Sequence, residues 1–141
     1  MQGQWIREDY TVKDDWVRKI CVQLKVHVPK MDAFASRENR RTVEFWTDAF
    51  NQDWSGLFLW INPPFSLLDE VVEKITTDVQ AVLIMPDWKH RKFWSRIQPV
   101  VIEEYHIPAG TSLFELPDGK LRPIQWASWG YYVKGPLPTH A

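Results

Sequence analysis

Leu57-Phe58-Leu59-Trp60-Ile61-Asn62-Pro63-Pro64-Phe65 is the stretch on which the fold turns. Five apolar residues run without a break into an asparagine and two prolines. A short continuous apolar run reads as a strand buried on both faces, as in a parallel sheet. The prolines have no N–H to give a ladder, so the chain is expected to leave the sheet at Asn62. In open α/β sheets, ligands bind outside the carboxyl ends of the strands. An amide, a proline turn with φ held at about −65° and an aromatic ring therefore stand together where a ligand is expected. Such a set suits a flat, amine-bearing ligand, with Phe65 as a stacking surface.

Working outward from this strand, Leu67, Leu68, Val71, Val72 and Ile75 recur at helical spacing, with Ser66 as a cap and Asp69 and Glu70 in the first turn. Gln80–Met85 is a second buried strand, stopped by Pro86. Strand, helix and strand at this spacing predict a right-handed βαβ unit. That unit would bring Pro86-Asp87-Trp88 to the same sheet edge as Asn62. Upstream, Lys30–Ala35 and Thr42–Trp46 are strand candidates, with Asp32 near the carboxyl end of the first. Thr11 is read as the N-cap of a helix reaching Lys25, its inner face formed by Val12, Trp16, Val17, Ile20, Cys21 and Leu24. Asp53-Trp54-Ser55-Gly56 is a turn, in which Asp53 is expected to hydrogen-bond its own backbone.

Downstream, Trp88–Arg96 is read as a helix stopped by Pro99, and Val100–Tyr105 as a strand. Ser112–Leu116 and Pro123–Val133, joined by Pro117-Asp118-Gly119, read as a hairpin that extends the sheet antiparallel. The expected class is α/β, a mixed sheet with helices on its faces and an antiparallel C-terminal hairpin. Residues 1–134 are expected to form one domain and 135–141 a flexible tail.

Composition narrows the possibilities. The 141 residues are 45% hydrophobic and 25% charged, ordinary globular values that argue against disorder and coiled coil. No apolar run approaches the ~20 residues of a membrane span, and no signal peptide is visible. A single cysteine, Cys21, excludes an internal disulfide and fits an intracellular, reducing compartment, cytoplasmic or nuclear. The net charge of −1 means that nucleic-acid binding would need a local basic patch. Nine tryptophans are unusual for a small domain; some are expected in the core, and their number also allows base-stacking surfaces, although structural packing accounts for them as well. No spacing of Cys and His suggests a metal site.

Asn62-Pro63-Pro64-Phe65 after an apolar strand resembles the catalytic motif of S-adenosylmethionine-dependent amino-methyltransferases that act on adenine N6. Its context is Asp32-Ala33-Phe34-Ala35-Ser36, Glu38-Asn39, Asp48-Ala49-Phe50 and Asp53-Trp54-Ser55-Gly56. That succession resembles the phage-type (Dam-like) DNA adenine methyltransferases, and more closely the methylase-like domains of some retroelement polyproteins. The resemblance covers roughly residues 8–133. It implies a compact Rossmann-like methyltransferase fold using S-adenosylmethionine, in which Asn62, Pro63, Pro64 and Phe65 are catalytic. It also implies that Thr11, Asp32, Phe34, Ala35, Ser36, Asn39 and Asp48 bind the donor. Asp32 would hold the ribose or methionine end, and Asp48 the adenine amine. Two departures stand out. The family has Thr-Pro where this chain has Thr11-Val12. The donor loop also lacks the glycines of the broad class, as the phage-type proteins do too.

Trp88-Lys89-His90-Arg91-Lys92-Phe93-Trp94-Ser95-Arg96 interleaves four cations and a histidine with three aromatics. As a rim beside the catalytic edge, Trp88, Lys89, His90, Arg91 and Lys92, with Arg40 and Arg41, would grip DNA phosphates. A solvated helix face is the other reading of the same charges. Two alternatives to the enzyme remain open from sequence. One is an inactive methylase-like domain of a mobile-element protein that only grips nucleic acid. The other is methylation of a different planar amide or amine.

Overall fold

The apolar run ahead of Asn62 is a strand buried on both faces. The computed structural model describes residues 11–33, 44–45, 49–63, 67–75, 77–87, 92–116 and 118–136. In chain order the elements are β1 (Thr11–Val12), α1 (Asp14–Gln23), β2 (Met31–Asp32), β3 (Glu44–Phe45), β4 (Phe58–Ile61), α2 (Leu68–Ile75), β5 (Gln80–Pro86), α3 (Lys92–Ile97), β6 (Val101–Ile107), β7 (Phe114–Glu115), β8 (Leu121–Arg122) and β9 (Ser128–Lys134). Six strands make one sheet in the order β3-β2-β4-β5-β9-β6. The first four of that order run parallel. β9 is antiparallel to both β5 and β6, so β6 points with the parallel strands. The protein is therefore α/β with a mixed sheet, as the spacing of its apolar runs predicts.

Alternation along the strands divides the core into two layers. Leu59 and Ile61 of β4, Leu83 and Met85 of β5, and Tyr131 and Val133 of β9 pack with Val71, Val72 and Ile75 of α2 and Ile97 of α3. Trp60, Val82 and Ile84 point the other way, onto Val17, Ile20, Cys21 and Leu24 of α1. Gly130 on β9 lets α1 approach. A Cβ there would lie 3.0 Å from Ile20 Cγ2. The turn before β4 matches its reading. Asp53 Oδ1 accepts from the Ser55 amide at 2.9 Å, and Gly56 takes φ +72°. That backbone bond is the main reason the Asp53 carboxyl titrates below its usual range.

Cys21 belongs to the α1 layer and is buried. Burial pushes its thiol up from 9.0 to about 11. The folded chain thus holds the proton where the unfolded chain releases it. The associated stability is complete below the unfolded value and is lost as pH climbs from about 9 to about 11. We expect the Tm difference between the native protein and Cys21→Ala to shrink across that interval. A difference that stays constant would contradict the buried neutral thiol.

Three expectations need correction. Thr11 is not a helix cap. It pairs with Glu115 in β1, the helix begins at Asp14, and the cap position, Lys13, makes no side-chain capping bond. A tertiary ladder here outweighs the local capping preference. The hairpin does not extend the main sheet either. Phe114–Glu115 and Leu121–Arg122 pair around a tight turn and join β1 in a separate three-stranded sheet. The turn is closed by Gly119 at φ +87° and by Asp118 Oδ1 accepting from the Lys120 amide at 2.9 Å. It is β9 that enters the main sheet, between β5 and β6. Finally, the helix expected over Trp88–Arg96 is α-helical from Lys92 to Ile97, then continues as a 3-10 turn, Gln98–Val100, through Pro99.

Candidate active site at the sheet's carboxyl edge

The strand order places the site. From β2 the chain moves outward to β3, then returns to the other side of β2 as β4. The crevice between β2 and β4 is thus the topological switch point, where open α/β sheets bind ligands beyond their carboxyl ends. Asp32 ends β2 and Asn62 follows β4. In register Asp32 lies opposite Trp60, one strand spacing of about 4.8 Å away, so Asn62 is two residues further along the neighbouring strand. The ladder runs one bond past Asp32, where the Ala33 amide donates to the Trp60 carbonyl at 3.0 Å.

The register fixes the face of Asp32. Met31 and Ala33 pack into the α2–α3 layer, so Asp32 between them turns to the α1 face, as Trp60 does. Asn62 is the first residue after β4. Asp32 is only 3% exposed, deep for a carboxylate. Asn62 is half-buried and Pro63 is buried. Lacking an N–H, Pro63 cannot prolong the ladder.

The small sheet stands on this same face and edge. α1 ends at the sheet's amino edge: Lys25 pairs with Glu103 at 3.6 Å, and His27 meets the Phe58 ring edge-on at 5.0 Å. The start of α1, and β1 before it, therefore lie toward the carboxyl edge. There the Lys13 amide donates to the Leu113 carbonyl at 2.8 Å. Val12, Leu113 and Ile124 share one apolar cluster with Trp60.

β5, the strand next to β4, delivers Asp87 to the edge, exposed, its amide donating to the Ala127 carbonyl at 2.9 Å. β9 begins beside it, so Trp126, 44% exposed, arrives at the same edge. No local pattern marks Trp126 as an edge residue, because its position follows from where β9 inserts. On the opposite face the rings of Trp94 and Tyr131 lie 5.3 Å apart, and Trp129 stacks on Tyr131 at 5.9 Å. Burial, helped by the Glu104 and Asp87 carboxylates, pushes the Tyr131 hydroxyl far above its usual range and keeps it protonated.

Of the residues singled out from sequence, Thr11 lies in β1, Asp32 ends β2 and Asn62-Pro63 follow β4 at the switch point, and Lys92 opens α3. Phe34, Ala35, Ser36, Asn39, Arg40, Arg41, Asp48, Pro64, Phe65, Trp88, Lys89, His90 and Arg91 lie outside the described residues. Arg96, from the same basic stretch, is paired with Glu73 at 3.5 Å. Such a surface pair contributes about 1 kcal/mol at most. Among the described residues, no cluster of three or more His, Cys, Asp or Glu could hold a metal, and no helix is long and apolar enough to cross a membrane. In comparisons with known proteins, no family model matches the chain. No curated protein matches it either.

Proposed function

We propose that this chain is a compact Rossmann-like methyltransferase of the phage-type (Dam-like) kind, carrying a methyl group from S-adenosylmethionine to N6 of adenine in DNA. The observation that carries this reading is the placement of Asp32 and of Asn62-Pro63 at the carboxyl ends of adjacent parallel strands, at the switch point. A buried carboxylate beside a half-buried amide fits a donor with hydroxyl and ammonium groups next to a substrate with an exocyclic amine.

S-adenosylmethionine, when bound, supplies an electrophilic methyl on a sulfonium sulfur. The residues of the chain prepare the acceptor. The N6 lone pair of adenine is delocalised into the ring. The Asn62 side-chain oxygen and the Pro63 carbonyl accept the two N–H bonds and draw that lone pair out toward the methyl. Asp32 holds the donor's ribose or methionine end, Asp48 its adenine amine, and Phe65 stacks on the base, which has left the duplex. The proton of the methylated amine passes to water, so no strong base is required. Alignment supplies most of the acceleration. Trp88, Lys89, His90, Arg91 and Lys92 are the proposed phosphate-gripping rim.

Calorimetric titration with S-adenosylmethionine tests the proposal. The native protein is expected to bind at micromolar donor, and Asp32→Ala to lose that binding. No binding at millimolar donor would overturn the enzyme reading and favour a methylase-like domain that only grips nucleic acid.

A further inference from the structure

We infer that the small sheet β1-β7-β8 is a clasp that positions the Thr11 segment against the donor, so that a hairpin about a hundred residues further along the chain sets donor affinity. This rests on the methyltransferase reading above. The Thr11–Val12 backbone is held by β7, with Thr11 opposite Glu115 and Val12 opposite Phe114. The Lys13–Leu113 bond extends that tie into the start of α1. The hairpin itself is closed by the Leu116 amide donating to the Lys120 carbonyl at 2.8 Å. Its base is tied by the Ile124 amide donating to Thr111 at 2.9 Å and the Gly110 amide donating to Ile124 at 2.8 Å.

Apolar anchors fix the clasp to the face that bears Asp32 and Trp60. Val12 and Leu113 are fully buried, and Ile124 is 7% exposed. The ladders are short, two residues in each strand. The pairing of such short ladders is read directly by the exchange of their few bonded amides. A ligand that touches the clasp only in its paired form must stabilise the pairing. Position 11 then depends on a turn whose Gly119 sits at φ +87° with nothing within 4 Å of an added Cβ.

Hydrogen exchange of the full chain, with and without S-adenosylmethionine, tests this. Bound donor should slow the Lys13, Leu116 and Ile124 amides several-fold. The Gln80 and Gly135 amides, at the opposite edge, should not change. Donor binding by calorimetry with protection confined to the Asp32 and Asn62 segments would overturn the clasp and leave the enzyme reading standing. Absence of donor binding would overturn both. A second arm uses Gly119→Ala, which strains the left-handed backbone, and Gly119→Asn, which tolerates it. Faster exchange at Leu116 with several-fold weaker donor binding is expected for the alanine variant, with recovery in the asparagine variant. Faster exchange at Leu116 with unchanged donor affinity would overturn the clasp.

Discussion

Asn62→Ala is expected to lower methyl transfer to adenine by about 10²–10³-fold, the usual cost of removing one preorganised hydrogen-bonding group from a transition state. Donor affinity should stay close to native, because the proposed donor partners lie on β1, on β2 and in the segment that follows β2. The reason lies in where the charge develops. As N6 attacks, its nitrogen becomes cationic, and an oxygen already aimed at its N–H bonds gains strength at that moment. Alanine at the end of β4 keeps the proline turn but leaves that developing charge with one acceptor fewer. Radiolabelled methyl transfer and calorimetric donor binding, measured on the same preparation, separate the two effects. Equal loss of both would assign Asn62 to donor binding or to folding.

Gly135→Ala is expected to cost at least about 3 kcal/mol of stability, at the upper end of overpacking penalties and a large share of a domain's ~5–15 kcal/mol. The Gly135 amide donates to the Val79 carbonyl at 2.8 Å, which pins this residue against the start of β5. An added Cβ would lie 1.8 Å from the Thr77 carbonyl oxygen and 3.0 Å from that of Ile75. Both neighbours are backbone, so no rotamer change relieves the clash and the α2–β5 connection must shift. Urea denaturation reads the effect as a lower midpoint. A midpoint near native would mean the two backbones do not approach this closely in solution. Sequence places the start of a tail at Gly135, yet this residue is buried and fastened to Val79.

Local patterns made much of this molecule legible. The unbroken run before Asn62 is a strand buried on both faces because nothing polar interrupts it and two prolines end it. Leu68, Val71, Val72 and Ile75 form a helix face because their spacing is helical. Gln80–Met85 lies parallel to β4, as strand, helix and strand at that spacing require. Asp53 makes its turn because its carboxylate reaches the amide two residues on. Each of these is decided within a few residues of itself, which is why a one-dimensional pattern suffices.

Legible from residue order alone, then, are the α/β class, the exit of the chain at Asn62 and the acid near the end of the first strand of the parallel set. That β2 and β4 lie side by side, that β9 divides β5 from β6, and that Thr11 pairs with a distant hairpin instead of capping a helix emerge once the strands are assembled. A strand's backbone N–H and C=O groups can be satisfied by any ladder of matching register. Side-chain periodicity records which face is apolar but not which strand lies alongside. Partner choice is settled by burying both faces of the sheet at once, and that balance involves residues as far apart as Val12, Trp60 and Ile124.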